Sequence, residues 1–339
     1  ENLEDIFKNH NKSKFEIYGF SHSLKKDEMT EEVSKYFDEF FDCSNLSDTK
    51  IANLSRERGI HIAINLTGYT FNSRDGIYYN NPAPIIINYL GYAGTMGSDC
   101  YDHIIADEVI LPNNEINNFS ENVLYLPECY LPYQPKFKNK ENNLNKQDLN
   151  LPIDNFVFGS LNNSYKITPF VFDSWMTILK NCENSILWLL QSNNAAKENL
   201  KKEAAKRDVD PKRIVYAPRV SVEEHLDRLK YIDLFLDTFP YNAHNTANEA
   251  IREEVPVLTM SGNSFASRVA GSILKNIGLE ELVTTNINDY IKLAIDIANN
   301  GQKHKKLKDH LAKPGIINKL FNSKKFTRDL ENIYEKIIK

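Results

Sequence analysis

Four residues of this chain have the types and positions that suit the binding of a phosphorylated ligand: Lys166, His244, Asn245 and Thr246. Lys166 follows an apolar stretch that predicts a buried strand over 156–159, and it would place a positive charge at the end of that strand. The other three follow a second predicted strand, 234–236, and precede a predicted helix. The N–H groups and the dipole of a helix N-terminus attract a diphosphate. An ordinary βα loop and a surface lysine also explain these residues.

A second group of residues would suit a nucleotide base. Residues 221–224 have the spacing of a capping box, so a helix is predicted to begin there. His225 and Arg228 are three residues apart on this helix and share a face, from which they could stack on and hydrogen-bond a base. A solvated helix face explains the pair as well. Thr246 and Glu249 have the same capping-box spacing, which predicts that the next helix begins at Thr246.

We expect no metal and no disulfide. Asp208 and Asp210 form an Asp-x-Asp pair of the type that holds a divalent cation, but they lie in a predicted connector without a third ligand nearby. The cysteines are widely scattered and include no CxxC pair, which favours reduced thiols in a cytoplasmic protein.

Length and charge exclude several further classes of protein. The 339 residues suffice for two domains with substantial cores. A formal net charge of −5 argues against a nucleic-acid partner. The sequence contains no run of about 18 apolar residues, so we expect no membrane span.

The elements that must position the candidate residues alternate between strands and helices. Short apolar stretches predict strands, which are 60–66, 85–90, 103–106, 122–126, 156–159, 186–190, 214–216, 234–236 and 255–258. Helices are predicted between them, among them 27–41, 195–207 and one that begins at Pro169 with Thr168 as its N-cap. This alternation predicts an α/β fold with parallel sheets.

The best candidate for a linker is the polar stretch 135–153, which is rich in Asn and Lys and flanked by prolines. We therefore predict two domains, 1–150 and 151–339. An amphipathic helix at about 322–339 is expected to pack back on the first domain.

Several segments, in the same order along the whole chain, resemble the catalytic region of the protein O-GlcNAc transferase family, including its SPINDLY-like and bacterial members. They are GIHIAINLTGYT at 59–70, PAP at 82–84, LGYAGT at 90–95, YKITP at 165–169, EEH at 223–225, NAHNT at 242–246, ASRVA at 266–270 and LFNSKKFT at 320–327.

The resemblance implies a GT-B fold, in which two Rossmann-like domains face a cleft and the C-terminal domain holds most of the nucleotide. It also implies an inverting transferase without a metal or other cofactor, with a UDP-sugar as donor substrate and a protein as acceptor. Lys166 matches the family's phosphate-binding lysine, and Asn245 and Thr246 match its contacts at the helix N-terminus. His244 matches the neighbouring histidine.

The remaining site residues are likewise assigned by the resemblance. His225 matches the residue that stacks on uracil, with Arg228 nearby and the Val220 backbone at the base edge. Leu90 and Gly91 match the loop that faces the sugar. His61 matches a histidine that lines the cleft, which makes it a candidate proton relay. Two further positions, counted as substrate contacts, match with a change of residue type: Asn163 and Glu249.

Some positions depart from the family pattern. Asn163 replaces a glutamine, Glu249 an aspartate associated with the ribose, and Asn245 a threonine. Val222 stands where animal members have a lysine. The chain is also expected to lack the family's first strand, the histidine-bearing loop behind it and a preceding tetratricopeptide array. These departures bear on nucleotide identity and acceptor recognition.

The expected function is transfer of a sugar, GlcNAc from UDP-GlcNAc, to Ser or Thr hydroxyls of protein. Two alternatives remain open. One is the same fold with GDP-fucose or another UDP-hexose as donor. The other is a glycosyltransferase-like partner subunit that has lost the chemistry.

Overall fold

The computed structural model describes residues 3–24, 26–132 and 144–338. The chain divides into two compact units, Glu1–Pro135 with Phe321–Lys339, and Lys136–Leu320. The division therefore lies earlier than the predicted boundary at residue 150. Within the described residues, none of the helices has both the length and the apolar character needed to cross a membrane.

The part of the predicted linker that the structure describes, 144–153, belongs to the second unit. Tyr231 donates a hydrogen bond to the carbonyl of Leu144, and Leu151 is buried. The prediction of a linker is therefore wrong for these residues, because an apolar side chain and a tertiary hydrogen bond fix them. The portion of the linker up to residue 143 lies outside the described residues.

The elements up to residue 132 are α1 (Glu4–Asn9), β1 (Tyr18–Ser21), α2 (Glu28–Ser34), β2 (Glu39–Asp42), α3 (Asp48–Glu57), β3 (Ile62–Asn65), α4 (Gly76–Tyr79), β4 (Ile85–Asn88), β5 (His103–Ala106) and β6 (Asn122–Tyr125). They alternate between helices and strands as far as β4, after which β5 and β6 follow without an intervening α-helix. The predicted helix 27–41 is wrong in its second half. Phe40 and Phe41 lie in β2, which pairs with β1 in parallel, so a tertiary pairing overrides the local helical pattern.

The elements after residue 143 complete the chain. They are β7 (Phe156–Ser160), α5 (Pro169–Asn181), β8 (Ser185–Leu190), α6 (Asn194–Ala205), β9 (Ile214–Ala217), α7 (Val222–Leu229), β10 (Leu234–Leu236), α8 (Asn245–Arg252), β11 (Val257–Met260), α9 (Val269–Asn276), β12 (Val283–Thr284), α10 (Ile287–Asn299), α11 (Gly301–Leu311), α12 (Pro314–Leu320) and α13 (Ser323–Ile337).

The first unit contains a parallel sheet in the order β3-β4-β5-β6 and a separate parallel pair, β1-β2. Among the described strands, β1 and β3 are edge strands, and both line a cavity of about 1140 Å³ together with α1 and α13. The expected lack of a first strand stays a prediction. The C-terminal helix α13 belongs to this unit, where Glu331 accepts hydrogen bonds from the ring of His10 (3.1 Å) and the amide of Asn11 (2.7 Å).

The second unit is built on a parallel sheet in the order β12-β11-β10-β7-β8-β9. The chain adds β8 and β9 on one side of β7 and then returns to add β10, β11 and β12 on the other side. The direction of strand addition therefore reverses between β7 and β10. The core of the second unit is apolar and includes Phe158, Trp175, Trp188 and Phe235, each of which is fully buried. In open α/β sheets, ligands bind at such a reversal, beyond the carboxyl ends of the strands.

Candidate functional site

The carboxyl ends of β7 and β10 bring together the residues predicted to bind a phosphate. Lys166 lies in the turn that follows β7, and the segment 237–244 joins β10 to α8. These two strands are hydrogen-bonded neighbours, with Leu234 paired to Phe158. Residues far apart in sequence therefore meet at the point where the sheet reverses its order.

Lys166 is held by the loop in front of α8. Its Nζ donates a hydrogen bond to the carbonyl oxygen of Asn242 at 2.8 Å and lies 4.3 Å from the centre of the Tyr241 ring. Burial lowers the pKa of Lys166, and the charge of Asp237 partly opposes this effect. The ammonium is thus partly desolvated, a setting in which its attraction for an anion is stronger than in water.

The N-terminus of α8 has no side-chain cap from its N-cap residue. The helix begins at Asn245, and its N-cap residue, His244, makes no side-chain capping hydrogen bond. The first N–H groups of a helix have no carbonyl partner within the helix, and the dipole adds positive potential there. The predicted capping box at Thr246 and Glu249 is wrong, because the helix starts earlier and the Glu249 carboxylate lies against His225 on α7 instead.

His244 is a neutral side chain in this setting. Its ring stacks on Tyr241 with a centroid distance of 5.0 Å, and its Nε2 lies 3.5 Å from the carbonyl oxygen of Ala266. Burial, followed by the nearby charge of Lys166, lowers the pKa of His244 to about 3. At neutral pH this imidazole can therefore donate or accept a hydrogen bond, but it contributes no formal charge.

His225 and Arg228 lie together on α7, as their spacing predicts. The capping box at 221–224 is present, and Arg228 Nη2 lies 2.8 Å from His225 Nδ1. Since a guanidinium only donates hydrogen bonds, Nδ1 must accept, so the neutral ring carries its proton on Nε2. That nitrogen lies 3.3 Å from Glu249 Oε2. The ring of His225 is thereby fixed between a donor on its own helix and an acceptor on α8.

Arg228 differs from the prediction that it faces a base. Its side chain is buried, with a relative exposure of 2%, and its Nη1 donates to the Pro218 carbonyl at 2.6 Å. Burial lowers the pKa of Arg228 to about 10. This guanidinium therefore orients His225 and the loop that carries Val220, and Val220 itself is exposed.

Three residues near the site were missed by sequence reasoning. Arg219 follows β9 and donates to the Asn163 side chain at 2.8 Å, which ties two loops at the carboxyl edge together. Tyr241 lies under both Lys166 and His244. Asp237 directly follows β10 and is fully buried. Each directly follows a strand or lies in a loop after one, so a search of the residues that follow each predicted strand could have found them.

In the first unit, Leu90 and Gly91 lie at the carboxyl end of β4. Leu90 has a φ of +77°, and a Cβ on Gly91 would lie 2.2 Å from the carbonyl oxygen of Leu66. Only glycine allows this close approach between the loops after β3 and β4.

His61 lies at the other end of that sheet. It is exposed and directly precedes β3, so a strand of four residues, or about 13 Å, separates it from the carboxyl edge. The structure therefore does not bring His61 together with Leu90 and Gly91, and this position argues against the predicted relay.

The Asp-x-Asp pair is a structural feature of a connector. The side chain of Asp210 accepts from the Lys212 amide at 2.9 Å, and Asp208 lies 3.7 Å from the Lys180 ammonium. In the part of the chain that the structure describes, no group of three or more His, Cys, Asp or Glu residues could hold a metal ion. Independence from metal stays a prediction.

Comparison with known proteins agrees with this architecture. A probable UDP-N-acetylglucosamine–peptide N-acetylglucosaminyltransferase of Arabidopsis thaliana, SEC, is 31% identical over 99% of the chain, and a Caenorhabditis elegans UDP-N-acetylglucosamine–peptide N-acetylglucosaminyltransferase is 26% identical over 96%. The chain spans only 35% and 38% of the lengths of these relatives.

Among solved structures, a mutant of the Thermobaculum terrenum O-GlcNAc transferase superposes with a TM-score of 0.92 at 25% identity, over 99% of this chain and 64% of that one. This match confirms the predicted GT-B fold and the resemblance to O-GlcNAc transferases. The family described as Glycosyl transferase family 41 matches residues 2–133 and 135–330. The chain belongs to glycosyl transferase family 41.

Proposed function

We propose that this chain carries out glycosyl transfer from UDP-GlcNAc to Ser or Thr hydroxyls of protein, with inversion and without a metal. One observation carries the proposal. The Lys166 ammonium and the uncapped N-terminus of α8 converge at the carboxyl ends of β7 and β10, where the sheet reverses its order. This combination of a point charge and a fixed dipole suits the diphosphate of a nucleotide sugar.

The leaving group explains why both features are needed. The bond between the anomeric carbon and the β-phosphate oxygen breaks, and its electron pair stays with the phosphate as the acceptor oxygen bonds to the opposite face of the sugar. Negative charge on the diphosphate therefore grows in the transition state. Lys166 and the α8 amides stabilise that charge more strongly than they stabilise the bound donor, and this difference accelerates transfer.

The acceptor hydroxyl must also lose a proton, and we assign no base to that step. His244 is a weak base for that proton, because its pKa is lowered to about 3. In this proposal it serves as a hydrogen-bonding group at the phosphate end of α8.

The nucleotide base is proposed to lie on His225. Arg228 and Glu249 fix this ring from two sides, so little conformational entropy is lost when a base stacks on it. Val220, exposed in the loop that Arg228 supports, offers backbone groups for the edge of the base.

The donor and the acceptor are assigned from the names of the relatives, which include UDP-N-acetylglucosamine–peptide transferases from a plant and a nematode. Lys166, His225 and His244 favour an active enzyme over an inactive partner subunit, since a subunit without chemistry has no need for a charged diphosphate pocket. A cytoplasmic location belongs to the same proposal and rests on the scattered cysteines.

A donor panel tests the proposed function. Calorimetric titration with UDP, GDP, UDP-GlcNAc and UDP-glucose measures nucleotide and sugar preference, and transfer of labelled sugar to a Ser/Thr-containing peptide measures activity. We expect UDP to bind more tightly than GDP and UDP-GlcNAc to be the donor that is transferred. Preference for GDP, or for UDP-glucose, would show that the donor is not UDP-GlcNAc. Binding of UDP-GlcNAc without transfer to any peptide would favour the inactive subunit.

A further inference from the structure

Asp237 is a buried carboxylate at the centre of the candidate site. It directly follows β10, and its relative exposure is 0%. Its Oδ1 accepts hydrogen bonds from the amides of Thr238 (2.7 Å) and Ala243 (2.6 Å), and its Oδ2 accepts from the Thr259 hydroxyl (2.7 Å). All three donors are neutral. A buried carboxylate is costly unless its charge is balanced, so its presence at this strand end calls for an explanation.

The hydrogen bonds of Asp237 fix the segment that presents both phosphate-directed features. Ala243, held by Oδ1, directly precedes His244, the N-cap residue of α8. Asn242, one residue earlier, supplies the carbonyl that accepts from Lys166 Nζ. A single carboxylate thus sets the position of the helix N-terminus and of the lysine's acceptor.

We infer that Asp237 is a positioning residue of the diphosphate pocket, which holds the start of α8 in place and whose negative charge balances that of Lys166. The inference rests on the proposed function, because it takes the pocket to be a diphosphate site. Asp237 touches no part of the donor in this account and acts only through Lys166 and the α8 segment.

The charges around this pair define how it responds to pH. Burial raises the pKa of Asp237 to about 7, and burial lowers the pKa of Lys166 while the Asp237 charge opposes that fall. His244, the N-cap residue of α8, is neutral across this range, and Tyr290 on α10, whose hydroxyl donates to the Asp237 backbone carbonyl at 3.1 Å, stays protonated. Above about pH 7, therefore, the ionised Asp237 carboxylate favours the protonated form of Lys166.

Asp237→Asn separates charge from geometry. The amide oxygen can still accept from Thr238 and Ala243, and the amide nitrogen can donate to the Thr259 hydroxyl, which is able to accept. Asp296→Asn on α10 is the matched control, because this carboxylate pairs with Lys303 on the surface. Both variants are first checked by circular dichroism and thermal unfolding.

The test is the rate at which Lys166 is acylated by acetic anhydride in the absence of nucleotide, followed by mass spectrometry between pH 6 and 10. Below pH 7 the wild-type carboxyl is itself neutral, so wild type and Asp237→Asn should react alike. At pH 8–9 the variant should react at least about threefold faster, because its lysine loses its proton at a lower pH. Equal rates at every pH, with a folded variant and an unaffected control, would overturn the inference.

Two further results keep this test separate from the proposed function. UDP affinity of Asp237→Asn should fall more steeply than that of wild type between pH 7 and pH 9. If wild type binds no UDP, the proposed function fails, whereas the acylation rates still decide the role of Asp237. If Asp237→Asn does not fold, the pH dependence of Lys166 acylation in the wild type decides instead. Between pH 6 and 8 this rate must deviate from the pH dependence expected for one amine that titrates alone. A rate that follows the titration of a single amine would contradict the inference.

Discussion

Removal of the Lys166 ammonium is the perturbation that most clearly separates catalysis from folding in this unit. In Lys166→Ala, the hydrogen bond to Asn242 (2.8 Å) and the contact with the Tyr241 ring (4.3 Å) are lost. A hydrogen bond of this kind contributes about 1 kcal/mol to stability, and the cost of burying an ammonium offsets part of it. Asp237 loses its balancing charge in this variant, but its pKa is already raised to about 7, so it can take up a proton instead. We therefore expect the free energy of unfolding near neutral pH to change by no more than about 1–2 kcal/mol.

The effect on turnover should be much larger. Loss of one preorganised electrostatic stabiliser costs about 3–4 kcal/mol in the transition state, which corresponds to a fall in kcat of roughly 100-fold or more. UDP-GlcNAc affinity should fall less, because the diphosphate carries less negative charge in the intact donor than it does as the glycosidic bond breaks. The assay is steady-state transfer of labelled GlcNAc to a peptide, with UDP-GlcNAc affinity measured separately by calorimetry.

Lys180→Ala is the matched control, since Lys180 lies in α5 of the same unit and pairs only loosely with Asp208, at 3.7 Å. Its turnover should equal that of the wild type. The reasoning is refuted if Lys166→Ala is folded and transfers sugar within about threefold of the wild-type rate. A loss of turnover equal to the loss of UDP-GlcNAc affinity would also contradict it, because Lys166 would then act only in binding the donor.

Three further predictions follow from the site and from the first unit. His225→Ala should weaken UDP binding by about 1–3 kcal/mol through loss of a stacking surface, and unchanged affinity by calorimetry would remove His225 from the base pocket. Gly91→Ala should lower the stability of the first unit by about 1–3 kcal/mol, because its Cβ would lie 2.2 Å from the Leu66 carbonyl, whereas Gly301→Ala, with open space around it, should not; equal melting temperatures would contradict this. Transfer should persist in EDTA, and an activity that EDTA abolishes and Mn²⁺ restores would show that a metal takes part.

Local sequence signals predicted those features whose partners are local. The capping box at 221–224 and the Thr168 cap of α5, which accepts from the Val171 amide at 3.2 Å, form within one turn of their own helix, so their spacing sufficed. The box expected at Thr246 and Glu249 failed because His225, on another helix, lies against the Glu249 carboxylate. A tertiary contact of this kind leaves no mark in the spacing of residues along one helix.

The resemblance assigned roles to residues but did not fix where each one lies. His61 belongs to a matching segment, yet it precedes β3 and lies at the amino edge of its sheet, which only the strand direction reveals. Asp237 shows the opposite case. Its importance comes from hydrogen bonds to Ala243 and Thr259, residues whose proximity depends on the course of the loop after β10 and on the pairing of β10 with β11. Neither could be inferred from periodicity.

The most direct test of the central claim is a calorimetric comparison of UDP and uridine binding to the wild-type chain in the presence of EDTA. If Lys166 and the α8 N-terminus bind the diphosphate, UDP should bind at least about 100-fold more tightly than uridine, a difference of about 3 kcal/mol supplied by one cation and a helix N-terminus. Equal affinities for UDP and uridine, or binding of UDP that requires a divalent metal, would contradict the account.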